Sequence, residues 1–149
     1  MEAVTQTPAH SHVERTVEWV DTDASGHQHN SAIMRWVESA EAELFRRLGL
    51  PGYFPTSPRV QQVINYTAKL WFGQRITATV KFERLGRTSA TYAFEVHGHS
   101  HPGAVAGTAA FGTVTVAHVP AGAEGAEPWP VEFRQAVLPL LEGFSGDDV

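Results

Sequence analysis

The stretch SAIMRWVESAEAELFRRL, residues 31–48, decides how the rest of the chain is read. Within it Ile33, Trp36, Val37, Ala40, Leu44 and Leu48 recur at steps of three and four, which gathers them onto one side of a helix of 3.6 residues per turn. Asn30 or Ser31 supplies a cap at its start, and Gly49 followed by Pro51 supplies a stop. A helix that is apolar on one side only needs a surface to lie on, and the residues after it provide one.

Beyond the Pro- and Gly-rich loop at 51–58 the hydrophobic period changes to two. Val60, Gln62, Ile64, Tyr66, Ala68 and Leu70 alternate with Gln61, Val63, Asn65, Thr67 and Lys69 until Gly73. Ile76, Ala78, Val80 and Phe82 then share one face of a second strand. The turn Arg84-Leu85-Gly86-Arg87 makes a hairpin with a third, in which Ala90, Tyr92, Phe94 and Val96 share a face. A fourth strand spans 104–119. Upstream of the helix a strand is expected over 12–20. The order is strand, long helix, four antiparallel strands, so the fold class is α+β with the helix covering the apolar face of the sheet. One helix covers only part of a sheet this wide, which makes pairing with a second subunit the expectation. Residues 1–12 read as a loose leader, 13–119 as the folded domain, and 120–149 as a linker with a short terminal helix interrupted near Pro139.

Composition removes several classes of function. The 149 residues carry 11 Lys and Arg against 16 Asp and Glu, for a net charge of −5, with no basic cluster to neutralise phosphates, so nucleic acid is not the expected partner. The absence of Cys excludes thiolate catalysis and Cys-bound metal. No apolar run reaches the roughly 18 residues needed to span a bilayer, and the first residues lack the basic and apolar regions of a secretory signal, so a cytoplasmic protein without membrane contact is expected.

Chemistry concentrates in Asp21-Thr22-Asp23-Ala24-Ser25-Gly26-His27-Gln28-His29-Asn30, between the first strand and the helix. Asp21, Asp23 and Asn30 are residue types that form turns and helix caps. The same placement also brings a carboxylate beside the unpaired N–H groups of a helix start, which carry partial positive charge and can hold a carbonyl oxygen as it becomes an oxyanion. An Asp there can attack that carbonyl or deprotonate a water that does. A thioester suits such a site, because a thiol of pKa about 8.5 leaves without a strong general acid. The Gly-x-Ser-x-Gly elbow of serine hydrolases is absent. Trp19, Trp36, Tyr66, Trp71 and Phe72 either fill the core or line an acyl pocket. His27 and His29, with His97, His99 and His101, alternate in the manner of a metal site, but the second group lies at a Gly/Pro turn without a nearby carboxylate, and no metal is assigned.

The segment Val17-Glu18-Trp19-Val20-Asp21-Thr22-Asp23-Ala24-Ser25-Gly26-His27, followed by Arg35-Trp36-Val37-Glu38, resembles the hotdog-fold thioesterases of the 4-hydroxybenzoyl-CoA thioesterase type. The likeness continues through Asn65-Tyr66, Phe72-Gly73 and Arg84-Leu85-Gly86-Arg87-Thr88-Ser89, and covers about residues 13–119. It implies an antiparallel sheet wrapped around one long helix, a dimer with a continuous sheet, and active sites at the subunit interface. It implies thioester hydrolysis on acyl-CoA or an acyl carrier protein, without a cofactor, in a homodimer or homotetramer. It also implies Asp23 as nucleophile or general base, Asp21 as support, and a backbone N–H near Asn30 as oxyanion donor. His29 joins them as a hydrogen-bonding partner of the acid or the thioester. Gly26, His27, Tyr66, Arg84, Arg87, Thr88 and Ser89 are the implied substrate contacts, the last four where CoA phosphates or the pantetheine arm pass. That turn also reads as an ordinary solvated hairpin. A non-hydrolytic relative that binds or dehydrates acyl thioesters is the alternative.

Overall fold

The computed structural model describes residues 10–141. Its elements are β1 (His10–Thr16), α1 (Asn30–Leu48), β2 (Arg59–Tyr66), β3 (Arg75–Leu85), β4 (Ser89–Gly98), β5 (Gly107–Ala117) and α2 (Val131–Val137), with a single 3-10 turn at Trp19–Asp21. The five strands make one antiparallel sheet in the order β1-β3-β4-β5-β2. The helical stripe read from the sequence is buried at Ile33, Trp36, Val37, Ala40 and Leu44. It lies on β1, β3 and β4, whose inward residues Ile76, Ala78, Val80, Phe82, Ala90, Tyr92, Phe94 and Val96 are all buried. Each large apolar side chain buried here contributes about 1.5–3 kcal/mol, so the helix is held by its packing. This is the α+β hotdog arrangement. Among the described residues no helix is long and apolar enough to cross a membrane.

Element ends differ from expectation for local reasons. β1 begins at His10, taking in three residues assigned to the leader, and stops at Thr16, because Asp21 folds the chain into a 3-10 turn by accepting the Glu18 N–H at 2.8 Å. The rest of the leader, residues 1–9, lies outside the described residues. α1 starts one residue early, with His29 and not Asn30 or Ser31 as its cap. β2 ends at Tyr66 because the Thr67 and Ala68 N–H groups both turn onto the Ala109 carbonyl, at 2.8 and 3.2 Å. β5 is shorter than 104–119, since His101 and Ala104 close a tight turn by reciprocal backbone bonds of 3.1 and 2.8 Å. The interrupted terminal helix is present as α2 followed by a 3-10 turn, Leu138–Leu140, containing Pro139.

β2 breaks the alternation expected of it. It is the sheet edge farthest from β1, away from the strands that α1 covers, and Val60, Val63 and Tyr66 are 60%, 45% and 48% exposed. An edge strand that presents apolar side chains and unpaired backbone groups is a template for another strand. Its inner side is fixed by a close approach: a Cβ on Gly112 of β5 would collide with the Val63 carbonyl and sit 3.0 Å from the Phe94 ring. Gly112→Ala is therefore expected to cost about 1–3 kcal/mol in urea unfolding, with the excess hydrogen exchange confined to β2 and β5. An unchanged unfolding midpoint would show that the two strands part without cost.

Its first residue is tied to the helix by charge. Glu41 of α1 is fully buried, accepts the Tyr53 hydroxyl at 2.5 Å, and forms an ion pair with Arg59, which also reaches the Tyr92 hydroxyl at 3.3 Å. Burial pushes the Glu41 carboxyl above its ordinary value, while Arg59 and the Tyr53 hydroxyl pull it back. Burial beside Glu41 likewise raises the Tyr53 and Tyr92 hydroxyls, leaving both protonated as donors.

Candidate active site

Residues 21–29 double back on themselves in front of α1. His29 N–H donates to the Asp21 carbonyl at 2.7 Å, Asp23 N–H to the His27 carbonyl at 3.2 Å, and Thr22 bridges Gln28 between them. Gly26, at φ +88°, makes the reversal, a conformation that suits glycine and few other residues. Gln28 points inward and is buried: its Oε1 accepts the Leu70 N–H at 2.7 Å and its own N–H donates to the Leu70 carbonyl at 2.9 Å. His27 stands edge-on to Trp71 with ring centres 5.8 Å apart. The small ladder is thereby pinned to the chain that leads into β3.

The two aspartates have different surroundings. Asp21 is buried and both its oxygens are occupied, one by the Glu18 N–H and the other by Arg35 of α1 at 2.7 Å. It anchors the loop to the helix. Asp23 is exposed; one oxygen accepts the Ser25 N–H at 2.8 Å and the Ser25 hydroxyl, and the other makes no bond among the described residues. The Ser25 hydroxyl and N–H hold its carboxyl below the ordinary 3.8, and His27 and His29 pull the same way. Asp23 is therefore a carboxylate at neutral pH.

At the helix start the donors are also unequally used. The His29 ring caps the helix, its Nδ1 accepting the Ser31 N–H at 3.1 Å, and the Ala32 N–H donates to the His29 carbonyl at 2.9 Å. Asn30 N–H, the first of the helix, has no acceptor among the described residues. The free donor thus falls at the position named from the sequence. Acid and donor belong to the two arms of the same small loop, Asp23 opposite His27 and Asn30 three residues further along at the first turn of α1.

Other expected site residues are not brought to this loop within one chain. Arg84 near the end of β3, Arg87 and Thr88 in the turn, and Ser89 at the start of β4 lie at the far end of an 11-residue strand that begins beside the loop, roughly 33 Å away. Arg84 donates to the hydroxyls of Ser89 at 3.0 Å and Thr91 at 3.4 Å, and Arg87 is exposed. Tyr66 is half exposed at the end of β2. Of the aromatics, Trp36 is core, whereas Trp19 and Phe72 are exposed and pack edge-on at 5.9 Å. His99 bonds the Thr77 hydroxyl at 2.7 Å, and among the described residues no three His, Asp or Glu side chains converge on a metal position. Ser25 and Gln28 were not singled out from the sequence. The Asp-x-Ser spacing is a turn-forming signal that points to Ser25; the alternation His-Gln-His marks Gln28 as facing away from its neighbours.

The model of the thioesterase superfamily matches residues 25–102, more than half of the chain. The chain belongs to the thioesterase superfamily. The match runs from Ser25 through α1, β2, β3 and β4, beginning two residues after Asp23. Among solved structures, a predicted thioesterase from Bacillus stearothermophilus superposes on this superfamily member with a TM-score of 0.77 at 24% identity, over 92% of this chain and all of that one. A 1,4-dihydroxy-2-naphthoyl-CoA thioesterase from Synechocystis gives 0.75 at 16% identity, over 86% of this chain and 95% of that one. A 4-hydroxybenzoyl-CoA thioesterase variant in complex with 4-hydroxybenzoyl-CoA gives 0.75 at 15%, over 87% and 99%. Likeness at these identities is a likeness of fold. Among curated proteins none matches this chain.

Proposed function

We propose that this thioesterase-superfamily chain hydrolyses acyl-CoA, with Asp23 as the catalytic carboxylate and Asn30 N–H as the oxyanion donor, in a site completed by a second copy of the chain. The reading is carried by one observation: an ionised carboxylate with a free oxygen stands in the loop that leads into a helix start whose Asn30 N–H has no acceptor among the described residues. The unoccupied Asp23 oxygen attacks the thioester carbonyl carbon, or takes a proton from a water that does. In either route the carbonyl oxygen gains charge at the Asn30 N–H, the carbon–sulfur bond breaks, and the thiol leaves as a thiolate; where Asp23 itself attacked, water then cleaves the acyl-aspartyl anhydride to the free acid and restores the carboxylate. Asp21 and Arg35 position the loop against α1.

The second copy follows from the distance between the Asp23 loop and the turn of Arg87 and Ser89. Antiparallel pairing of two β2 edges would set opposite ends of the two sheets side by side, bringing one copy's Asp23 loop to the other's β3–β4 turn and covering Val60, Val63 and Tyr66. A homodimer is the smallest unit that holds a complete site.

The test is release of free thiol from a panel of aromatic and medium-chain acyl-CoAs, followed colorimetrically. Turnover of at least one is expected; binding without release from any would make the chain a non-hydrolytic acyl-thioester protein. The pH profile has a defined sign. Because Ser25 depresses the Asp23 carboxyl, its active form persists as pH falls and is lost only below 3.8. Ser25→Ala should move the acid limb of kcat/KM upward, toward 3.8. A wild-type acid limb near pH 6–7, about the ordinary imidazole range, would transfer the base to His27 or His29.

A further inference from the structure

A hairpin turn at the tip of two long strands is ordinarily solvated and mobile. In this chain the carbonyls of the β3–β4 turn are instead taken one after another by residues 118–134. Gly86 accepts Arg134 Nη1 at 3.1 Å, Arg87 the Trp129 backbone N–H at 3.0 Å, Thr88 the His118 N–H at 2.9 Å, and Ser89 the Trp129 indole N–H at 3.1 Å. The Gly86 N–H also donates to the Ser89 carbonyl, at 2.7 Å, and closes the turn on itself. The two ends of the 118–127 loop reach the turn together, because the Glu127 N–H bonds the His118 carbonyl at 2.8 Å.

The donors are anchored in the core. Trp129 and Phe133 are buried and stacked at 3.9 Å, and Phe133 lies at 12° to both Phe45 and Tyr53. Residues 118–134 thus form a strap that ties the backbone of the turn to the core and leaves the Arg87 side chain exposed. No part of the strap falls within residues 25–102, which the superfamily model matches. The hairpin does not need it in order to form, since β3 and β4 are already paired from Ile76 with Gly98 to Leu85 with Ala90. What the strap adds is a single backbone conformation at 86–89. A turn fixed before binding gives up less entropy when a ligand docks on its side chains than one that must be ordered by the ligand.

We propose that this C-terminal strap preorganises the β3–β4 turn for its contact with the substrate, with Trp129 and Arg134 as positioning residues that act through the turn; the assignment rests on the acyl-CoA reading and the shared site above. The strap then sets substrate affinity and leaves the chemical step alone. Trp129→Phe keeps a ring stacked on Phe133 and removes the indole N–H. With the acyl-CoA that the wild type turns over fastest, it should raise KM about fivefold, the worth of one hydrogen bond, at unchanged kcat. Hydrogen–deuterium exchange should speed up at residues 86–89 and stay at the wild-type rate in α1. Arg134→Met is the second variant, because its side chain is only half-buried and its loss spares the core. It should show the same KM rise and the same faster exchange at about 0.5 M salt, where the exposed charge it also removes is screened. KM within about twofold of wild type in both variants, or exchange at 86–89 no faster than in the wild type, would overturn the proposal. So would a fall in kcat as large as the rise in KM, which marks a general loosening of the fold. Faster exchange with unchanged KM would take the turn out of substrate binding and leave the hydrolase reading standing. No thiol release by the wild type from any acyl-CoA would remove that reading, and the proposal with it, whatever the exchange.

Discussion

Asp23→Ala is expected to lower kcat for thiol release by about 10²–10⁴-fold while leaving acyl-CoA binding and the unfolding midpoint close to wild type. The size follows from what the side chain does. It is exposed and contributes only the Ser25 turn to the fold, so its removal costs little stability. It is also, among the described residues of the loop at 21–29, the carboxylate with an unoccupied oxygen, since both oxygens of Asp21 are taken. Asp21→Ala should behave in the opposite way. Asp21 is buried between Arg35 and the Glu18 N–H, and its loss should appear as destabilisation of the loop with activity falling in step. Turnover by Asp23→Ala within about threefold of wild type would remove Asp23 from the chemistry.

Arg59→Ala is expected to cost about 3–5 kcal/mol of stability, the largest loss from any single polar substitution considered. Glu41 is 0% exposed, and without Arg59 its carboxylate keeps only hydroxyl partners. The loss should also detach the start of β2 from α1, and so weaken self-association. Replacing both residues by Met should recover most of the stability, because a hydrophobic pair of similar volume removes the stranded charge. A loss below about 1 kcal/mol in Arg59→Ala would mean that water reaches Glu41 and solvates it.

The helix and the two central strands were legible because each has a single environment. Ile33 to Leu44 are buried on the side of α1 that meets the sheet, and Ile76 to Phe82 on the inward face of β3, so burial copies the periodicity. β2 carries the same alternation in sequence but stands at the edge beyond α1, where the pattern alone does not tell an exposed side chain from a covered one. The order of Asp23, Gly26 and Asn30 between a strand and a helix is enough to place them in one segment leading into the start of α1, and the structure has them there. The cap was not legible. His29 takes it by accepting the Ser31 N–H, a role for which Ser, Asp and Asn are the usual signals. Glu41 and Arg59 were invisible for a different reason. They are 18 residues apart, and only the fold shows that a charge within the apolar stripe has a cation waiting on the next strand.

A site shared between two copies makes a quantitative demand on mixtures. Asp23→Ala abolishes the acid at one end of the chain, and Arg87→Glu opposes phosphate binding at the other. After subunit exchange in an equimolar mixture, half the dimers are mixed, and each mixed dimer carries one site with both lesions and one with neither. Thiol release at low acyl-CoA should therefore recover to about a quarter of the wild-type rate. A mixture no faster than the mean of the two variants alone would place Asp23 and Arg87 in the same copy's site, or in no common site, and would contradict the shared active site.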